Sequence, residues 1–256
     1  MEGSRTISLT RCQAGSREEA RDEVAVEEPL EIRLDGHAVA VVMRTPGHDA
    51  ELAAGFLMTE GIVRTVAELR KMEERPEENR VLVFLEDGVD VDIGKLTRHF
   101  YTGSSCGLCG KATLEAIFGS FPPLGSPAPL VSDEVLLAAP EKLRAAQDAF
   151  DATGGLHAAG IFSADGALLV AREDVGRHNA VDKVIGHCLR EQVDLAGAFL
   201  LVSGRVSFEI MQKALAARLP VVAGISAPSS LAVDFARESG QGLVGFLRPP
   251  GFNRYG

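Results

Sequence analysis

The chain has 256 residues, 46% hydrophobic and 24% charged, a balance that fills one large or two small globular cores and excludes a disordered protein. A formal net charge of -10 and a pI of about 5.1 leave no global basic field to recruit nucleic acid or an anionic membrane surface. The longest apolar runs, such as Gly197 to Val202, are strand-length against the roughly 20 residues a bilayer demands.

The first 23 residues mix charged and polar side chains without an apolar signal region, and read as a mobile tail of a cytoplasmic protein. Val24 to Leu34 and His37 to Thr45 are β-rich and are joined by Asp35-Gly36, a dipeptide suited to the positive φ angles of a tight hairpin. Pro46-Gly47-His48 ends that hairpin. Asp49 is the expected N-cap of a helix through Glu60 with Leu52, Ala53, Phe56 and Leu57 on one face, and Gly61 ends it. Val81 to Glu86 and Val89 to Asp92 read as a second hairpin, and Ala112 to Phe118 as a helix.

Four prolines and two glycines between Gly119 and Pro129 mark a connection. The expected organisation is therefore a tail at 1–23, a smaller α+β domain at 24–119, a Pro/Gly-rich connection at 120–131, and an α/β domain at 132–256. In the last of these a helix is expected from Pro140 to Phe150. Strands follow at His157 to Ser163, Ala167 to Arg172, Ala198 to Ser203, Pro220 to Ile225 and Leu243 to Arg248. Helices alternate with them at Asn179 to Glu191, Ser207 to Arg218 and Ser229 to Glu238, the first carrying Val181, Val184, Ile185 and Cys188 at helical spacing. Helices packed on a mostly buried sheet make the fold class α/β.

Two features carry chemistry. Ser104-Ser105-Cys106-Gly107-Leu108-Cys109-Gly110-Lys111 sets two thiols three positions apart in a glycine-rich stretch before a helical segment. A following helix N-terminus and Lys111 both favour the reactive thiolate. Four cysteines, Cys12, Cys106, Cys109 and Cys188, are too few for a disulfide scaffold and fit a reducing compartment. A structural zinc site normally takes four ligands in two close pairs, and only one pair exists, with His99 nearby; zinc shared across a dimer, thioredoxin-type exchange and sulfur carriage all stay open.

The second feature is the set of polar residues at the predicted strand ends, where an α/β sheet forms its ligand crevice. Glu173, Asp174, Arg177, His178 and Asn179 follow one strand, Ser203, Gly204, Arg205 and Ser207 another, and Ser226-Ala-Pro-Ser-Ser230 a third. Such groups beside helix N-termini bind phosphate, and a phosphorylated small molecule is the expected ligand. Against this, Arg177, Asp174 and Asp182 also suit an ordinary ion-pair network, Ser207 and Ser229 suit plain helix caps, and His157 suits a hydrogen-bonded structural role.

From about Thr45 to Arg248 the sequence resembles the FdhD family of formate dehydrogenase accessory sulfurtransferases. The resemblance is carried by Thr45-Pro-Gly-His-Asp49, Glu51-Leu-Ala-Ala-Gly-Phe-Leu57, Glu60-Gly-Ile62, Ser105-Cys-Gly-Leu-Cys-Gly110 and Thr153-Gly-Gly-Leu-His-Ala158. It continues through the run Arg172 to Gly186, Ser203-Gly-Arg-Val-Ser-Phe-Glu209, Ser226 to Val233 and Leu243-Val-Gly-Phe-Leu-Arg248. It implies that sulfur is accepted from a cysteine desulfurase as a cysteine persulfide and passed to a molybdenum or tungsten bis-pterin guanine dinucleotide cofactor for formate dehydrogenase. It further implies a cytidine-deaminase-like mixed sheet flanked by helices and a homodimer. A cofactor segment then falls on Phe246, Leu247, Arg248, Pro249, Pro250 and Gly251. On this reading Cys106 bears the persulfide and Cys109 assists transfer or resolves the persulfide. Arg248, with Arg177 and Arg205, faces the phosphates, and no resident metal is expected. The zinc-deaminase signature is incomplete, because no His-x-Glu occurs and Ser105 rather than proline precedes Cys106. The alternatives are a cofactor-delivering chaperone that handles no sulfur, in which both cysteines are dispensable, and a zinc-stabilised module.

Overall fold

The computed structural model describes residues 3–89, 91, 117–125 and 131–255. Among the described residues there are three sheets: a two-stranded ribbon, a four-stranded sheet and a six-stranded sheet. The ribbon pairs β1 (Ser4–Gln13) with β2 (Ser16–Ala25) in antiparallel register, setting Arg11 opposite Glu18 and Thr6 opposite Glu23. The segment expected as a mobile tail is thus a hairpin. Its polar alternation, with only Ile7, Leu9, Ala20 and Val24 apolar on one face, gave no buried-strand signal.

The four-stranded sheet runs β4-β3-β6-β5, from β3 (Glu28–Leu34), β4 (His37–Arg44), β5 (Leu69–Arg75) and β6 (Arg80–Leu85). Asp35 and Gly36 take the left-handed φ values of 45° and 84° that the hairpin turn requires. The second hairpin differs from expectation. β6 pairs antiparallel with β5 and parallel with β3, rather than with Val89 to Asp92, of which residues 90 and 92 lie outside the described set. β5 reads Leu-Arg-Lys-Met-Glu-Glu-Arg, and charges of this kind suit an edge strand that must not pair further.

One face of this sheet packs on α1 (Asp49–Thr59), ten of whose eleven residues are buried. A helix apolar on every side must be enclosed. Its N-cap is His48, in the left-handed region at φ 59°, and not Asp49. Asp49 instead takes a bidentate ion pair from buried Arg44, with Nε at 2.9 Å and Nη2 at 2.8 Å.

The six-stranded sheet has the order β12-β11-β10-β9-β7-β8. Its members are β7 (His157–Phe162), β8 (Leu168–Asp174), β9 (Phe199–Val202), β10 (Val221–Gly224), β11 (Gly242–Arg248) and β12 (Gly251–Tyr255). β9, β10 and β11 are mutually parallel, and β7 is antiparallel to both β8 and β9, so β8 through β11 all end at the edge where β7 begins. Leu136, Ala139 and Leu143 of α2 (Asp133–Arg144) cover one face. The helix expected at Pro140 to Phe150 is displaced: the Ser132 hydroxyl caps α2 at Val135 N, and a separate α3 (Asp148–Thr153) follows. The other face is covered by α4 (Arg177–Arg190), α5 (Phe208–Ala216) and α6 (Ser230–Ser239). The mixed sheet flanked by helices matches the expected fold class.

The two halves meet where α1 lies on α4. A Cβ added to Gly55 would come within 1.8 Å of the Asp182 carbonyl oxygen, and one added to Gly186 within 1.8 Å of the Glu51 carbonyl oxygen. The helices touch backbone to backbone. Buried charges fasten the seam: Lys183 Nζ to Asp174 at 2.7 Å, Lys213 Nζ to Asp182 at 2.9 Å, and Arg172 to both oxygens of Glu51. Thr45 N donates to Asp174 and Thr59 Oγ1 to Asp182, so each acidic residue bridges the halves. Residues 121–125 of the expected connection carry no regular element, and Leu124 N donates to Ser239 O at 2.8 Å. No helix among the described residues is long and apolar enough to cross a membrane.

Candidate functional site

Cys106 and Cys109, with His99 and Lys111, lie outside the described residues. Of the other two cysteines, Cys12 is exposed on the ribbon, while Cys188 is 2% exposed, its thiol pushed up to about 12 by burial, as an inert core residue should be. Among the described residues no set of three or more His, Cys, Asp or Glu side chains is gathered for a metal.

The predicted polar clusters do converge. The C-terminal ends of β8, β9, β10 and β11 and the start of β7 share one edge, which brings Arg177, His178, Ser207, Ser226, Arg248 and His157 to the same side of the sheet. The loops bearing them brace one another. Val206 bridges Pro228, Ser229 N donates to Val206 O, and Phe246 N donates to Ser226 O. Gly224 and Gly245 allow this packing, since a Cβ at either would meet Val206 or Pro228 below 3.0 Å.

Hydrogen bonding separates structural from available groups. Asp174 is fully buried, pairs with Lys183, and accepts from Thr45 N, Gly176 N and Asn179 Nδ2. Asn179 also donates to Met43 O, and Glu173 accepts from Ala149 N and Phe150 N at the start of α3, its carboxyl raised by burial. Ser203 Oγ accepts from Ala158 N, and Ser229 Oγ caps α6 at Ala232 N. These five serve the fold. Asp182 belongs to Lys213 and Thr59, so the network is built from Lys183 and Lys213 rather than from Arg177.

What remains is cationic. Arg177, Arg205 and Arg248 make no hydrogen bond or ion pair with a described residue, and Arg177 Nε is buried without a partner. His178 Nε2 stands 3.0 Å from Glu209 but out of line for a hydrogen bond. The pKa of His157 is lowered by burial and then by the charges of Arg177 and His178, which keeps the ring neutral near pH 7. In a chain of net charge -10, unpaired cations at one sheet edge make a local attractor for anions.

The segment Phe246 to Gly251 forms the far end of this edge. A bulge between Gly245 and Arg248 puts Phe246 in the left-handed region at φ 54° and leaves it 39% exposed. Leu247 turns inward and is wholly buried, so only its backbone is available to a ligand. Arg248 is exposed, and Pro249-Pro250 turns the chain into β12, which the sequence reading missed. A bulge re-aims side chains, here presenting an aromatic ring and a guanidinium beside the crevice.

Comparison with known proteins agrees with this architecture. The sequence model of the FdhD/NarQ family matches residues 25–256. A protein of Mycolicibacterium paratuberculosis named sulfur carrier protein FdhD is 52% identical, covering 98% of this chain and 95% of its own length. Proteins of the same name from Streptomyces coelicolor and Sulfolobus acidocaldarius are 48% and 42% identical, over 96% and 98% of this chain and 92% and 96% of their own. A crystal structure from Desulfotalea psychrophila, assigned as a formate dehydrogenase accessory protein, shares the fold with a TM-score of 0.78 at 24% identity, covering 99% of this chain and 96% of that one. With a family match over residues 25–256 and relatives near half identity over nearly their whole length, the chain belongs to the FdhD/NarQ family.

Proposed function

We propose that this protein is a sulfur carrier in the maturation of formate dehydrogenase. The observation that carries the reading is the identity of 42–52% over almost the whole chain to proteins named sulfur carrier protein FdhD. Cys106 is the carrier. Its thiolate attacks the outer sulfur of a cysteine desulfurase persulfide, forms a new S–S bond, and releases the desulfurase cysteine as thiolate, leaving a Cys106 perthiolate. Cys109 supports the next transfer. The sulfur acceptor is the molybdenum or tungsten bis-pterin guanine dinucleotide cofactor, bound as substrate along the cationic sheet edge with Phe246 to Gly251 at one end. Arg248, which makes no hydrogen bond or ion pair with a described residue, favours that placement, because such a guanidinium offers charge-assisted hydrogen bonds to a phosphate. The protein acts as a sulfurtransferase, in the cytoplasm and as a homodimer.

The test is intact mass spectrometry of pre-reduced protein incubated with an active cysteine desulfurase and cysteine. A reductant-labile gain of one sulfur atom that disappears in Cys106→Ala and persists in Cys109→Ala supports the reading. No gain in wild type refutes it in favour of a chaperone that delivers the cofactor without handling sulfur.

A further inference from the structure

The site region contains three buried polar atoms without a hydrogen-bond partner, Arg177 Nε, Ser207 Oγ and His178 Nε2; the last faces Glu209 at 3.0 Å, and the other two lie away from the Phe246 to Gly251 turn. Ser207 is the N-cap residue of α5, with the extended backbone of a capping serine at φ -92° and ψ 168°. Its hydroxyl nevertheless makes no cap hydrogen bond. Ser132 and Ser229, at the same position of α2 and α6, both accept from the helix backbone. A buried hydroxyl left unused costs free energy, so its orientation needs another acceptor or donor.

The α4 terminus is equally open. Its N-cap is Gly176, which has no side chain to offer, and Arg177 follows with no hydrogen bond or ion pair to a described residue. Strand order brings the two together, because β7 lies between β8 and β9. His157 at the start of β7 is therefore flanked by Arg177 after β8 and Ser207 after β9. His178 approaches Glu209 at 3.0 Å, which fixes the starts of α4 and α5 side by side, and the ring of His157 lies beside Gly204. The acidic groups near this point are already engaged: Asp174 by Lys183, and Glu209 by His178.

We infer that Arg177 and Ser207, on either side of His157, form a subsite for a phosphoryl group, separate from the one at Arg248. The inference rests on the reading that this crevice holds a nucleotide-bearing ligand, and it adds a requirement. β7 lies three strands from β11, and strands are spaced about 4.8 Å, so the ligand must carry two phosphoryl groups about 14 Å apart. A mononucleotide fills one end of such a crevice, and the ligand class is an elongated molecule anionic at two places.

Titration calorimetry of the full chain with inorganic phosphate and with GDP tests this, on wild type, Arg177→Ala, Arg177→Lys, Ser207→Ala and Arg248→Ala, each checked for an unchanged melting temperature. The expected result is phosphate binding weakened by about tenfold or more in Arg177→Ala, also weakened in Ser207→Ala, and retained in Arg248→Ala. Arg177→Lys keeps the charge without the Nε donor and should fall between. Wild-type protein that takes up no phosphate, or Arg177→Ala and Ser207→Ala binding it as tightly as wild type, overturns the subsite. Failure of GDP to bind wild type while phosphate binding follows the expected pattern would instead remove the nucleotide reading and leave the phosphoryl subsite standing.

Discussion

Gly186→Ala should destabilise the whole protein, although alanine is the better helix former. The added carbon would lie 1.8 Å from the Glu51 carbonyl oxygen and 2.6 Å from the Gly55 nitrogen. Both are backbone atoms of α1 and cannot rotate aside. To reach even 3.0 Å, α1 must retreat by about 1.2 Å, and gaps of that order forfeit a large part of the dispersion energy of the seam. The retreat also strains the Arg172–Glu51 pair and the Thr59–Asp182 hydrogen bond that tie the halves. Overpacking typically costs 1–3 kcal/mol and sometimes more, while alanine returns about 1 kcal/mol of helix propensity. With no side chain able to yield, the overpacking cost should exceed that typical range at about 4 kcal/mol, leaving a net loss of about 3 kcal/mol. At about 2–4 °C per kcal/mol for a chain of this size, that lowers Tm by roughly 6–12 °C. Thermal unfolding followed by far-UV circular dichroism, with a denaturant midpoint at constant m-value, measures it. Gly55→Ala should behave alike, and the double variant should lose less than the sum, since the first methyl has already opened the seam. A Gly186→Ala protein that melts at or above the wild-type temperature would refute the backbone-to-backbone contact.

Further outcomes follow from the buried charges. The carboxyl of Glu51 is lowered despite burial, which opposes ionisation, because hydrogen bonds from Arg172 and His187 outweigh it. Its stabilisation is therefore complete above the unfolded value near 4.5 and is lost as pH falls through the lower folded value; in Glu51→Gln the acid limb of stability against pH should flatten. Lys213→Met leaves Asp182 buried with only Thr59 as hydrogen-bond donor, and should cost about 3–5 kcal/mol by chemical denaturation, much of it recovered by adding Asp182→Asn. His157 is held low by burial first and by Arg177 next, so Arg177→Ala should raise its pKa in an NMR titration; an unmoved titration would place the guanidinium elsewhere.

The strands β7, β9, β10 and β11 were legible because each is a short, largely apolar run closed by glycine, proline or serine, and the helices after β9 and β10 repeat at the helical period. β1, β2 and β5 were not, since their residues are mostly polar or charged and they are held by pairs such as Arg11 with Glu18 across the ribbon, or Lys71 and Arg75 with Glu73 along β5. Spacing alone cannot reveal a partner that lies far along the chain. That limit explains the run Arg172 to Gly186, where polar residues crowd a strand end and invite a chemical reading. Asp174 answers to Thr45, 129 positions away, and Asp182 to Thr59 and Lys213. Gly186 is there for the Glu51 carbonyl. Half the run thus holds two halves of the protein together, and its polarity measures that seam as much as any ligand.

The same subtraction gives the site. Of the polar residues at the sheet edge, those with a partner in the fold are accounted for by it, and those whose side chains make no hydrogen bond with a described residue remain, among them Arg177, Ser207, Arg205 and Arg248. A buried donor that the fold leaves unused is kept at a cost, and that cost is offset only when something else accepts from it. An anionic ligand reaching from the β11 turn to the start of α4 would satisfy Arg248, Arg177 and Ser207 together, which no described residue does.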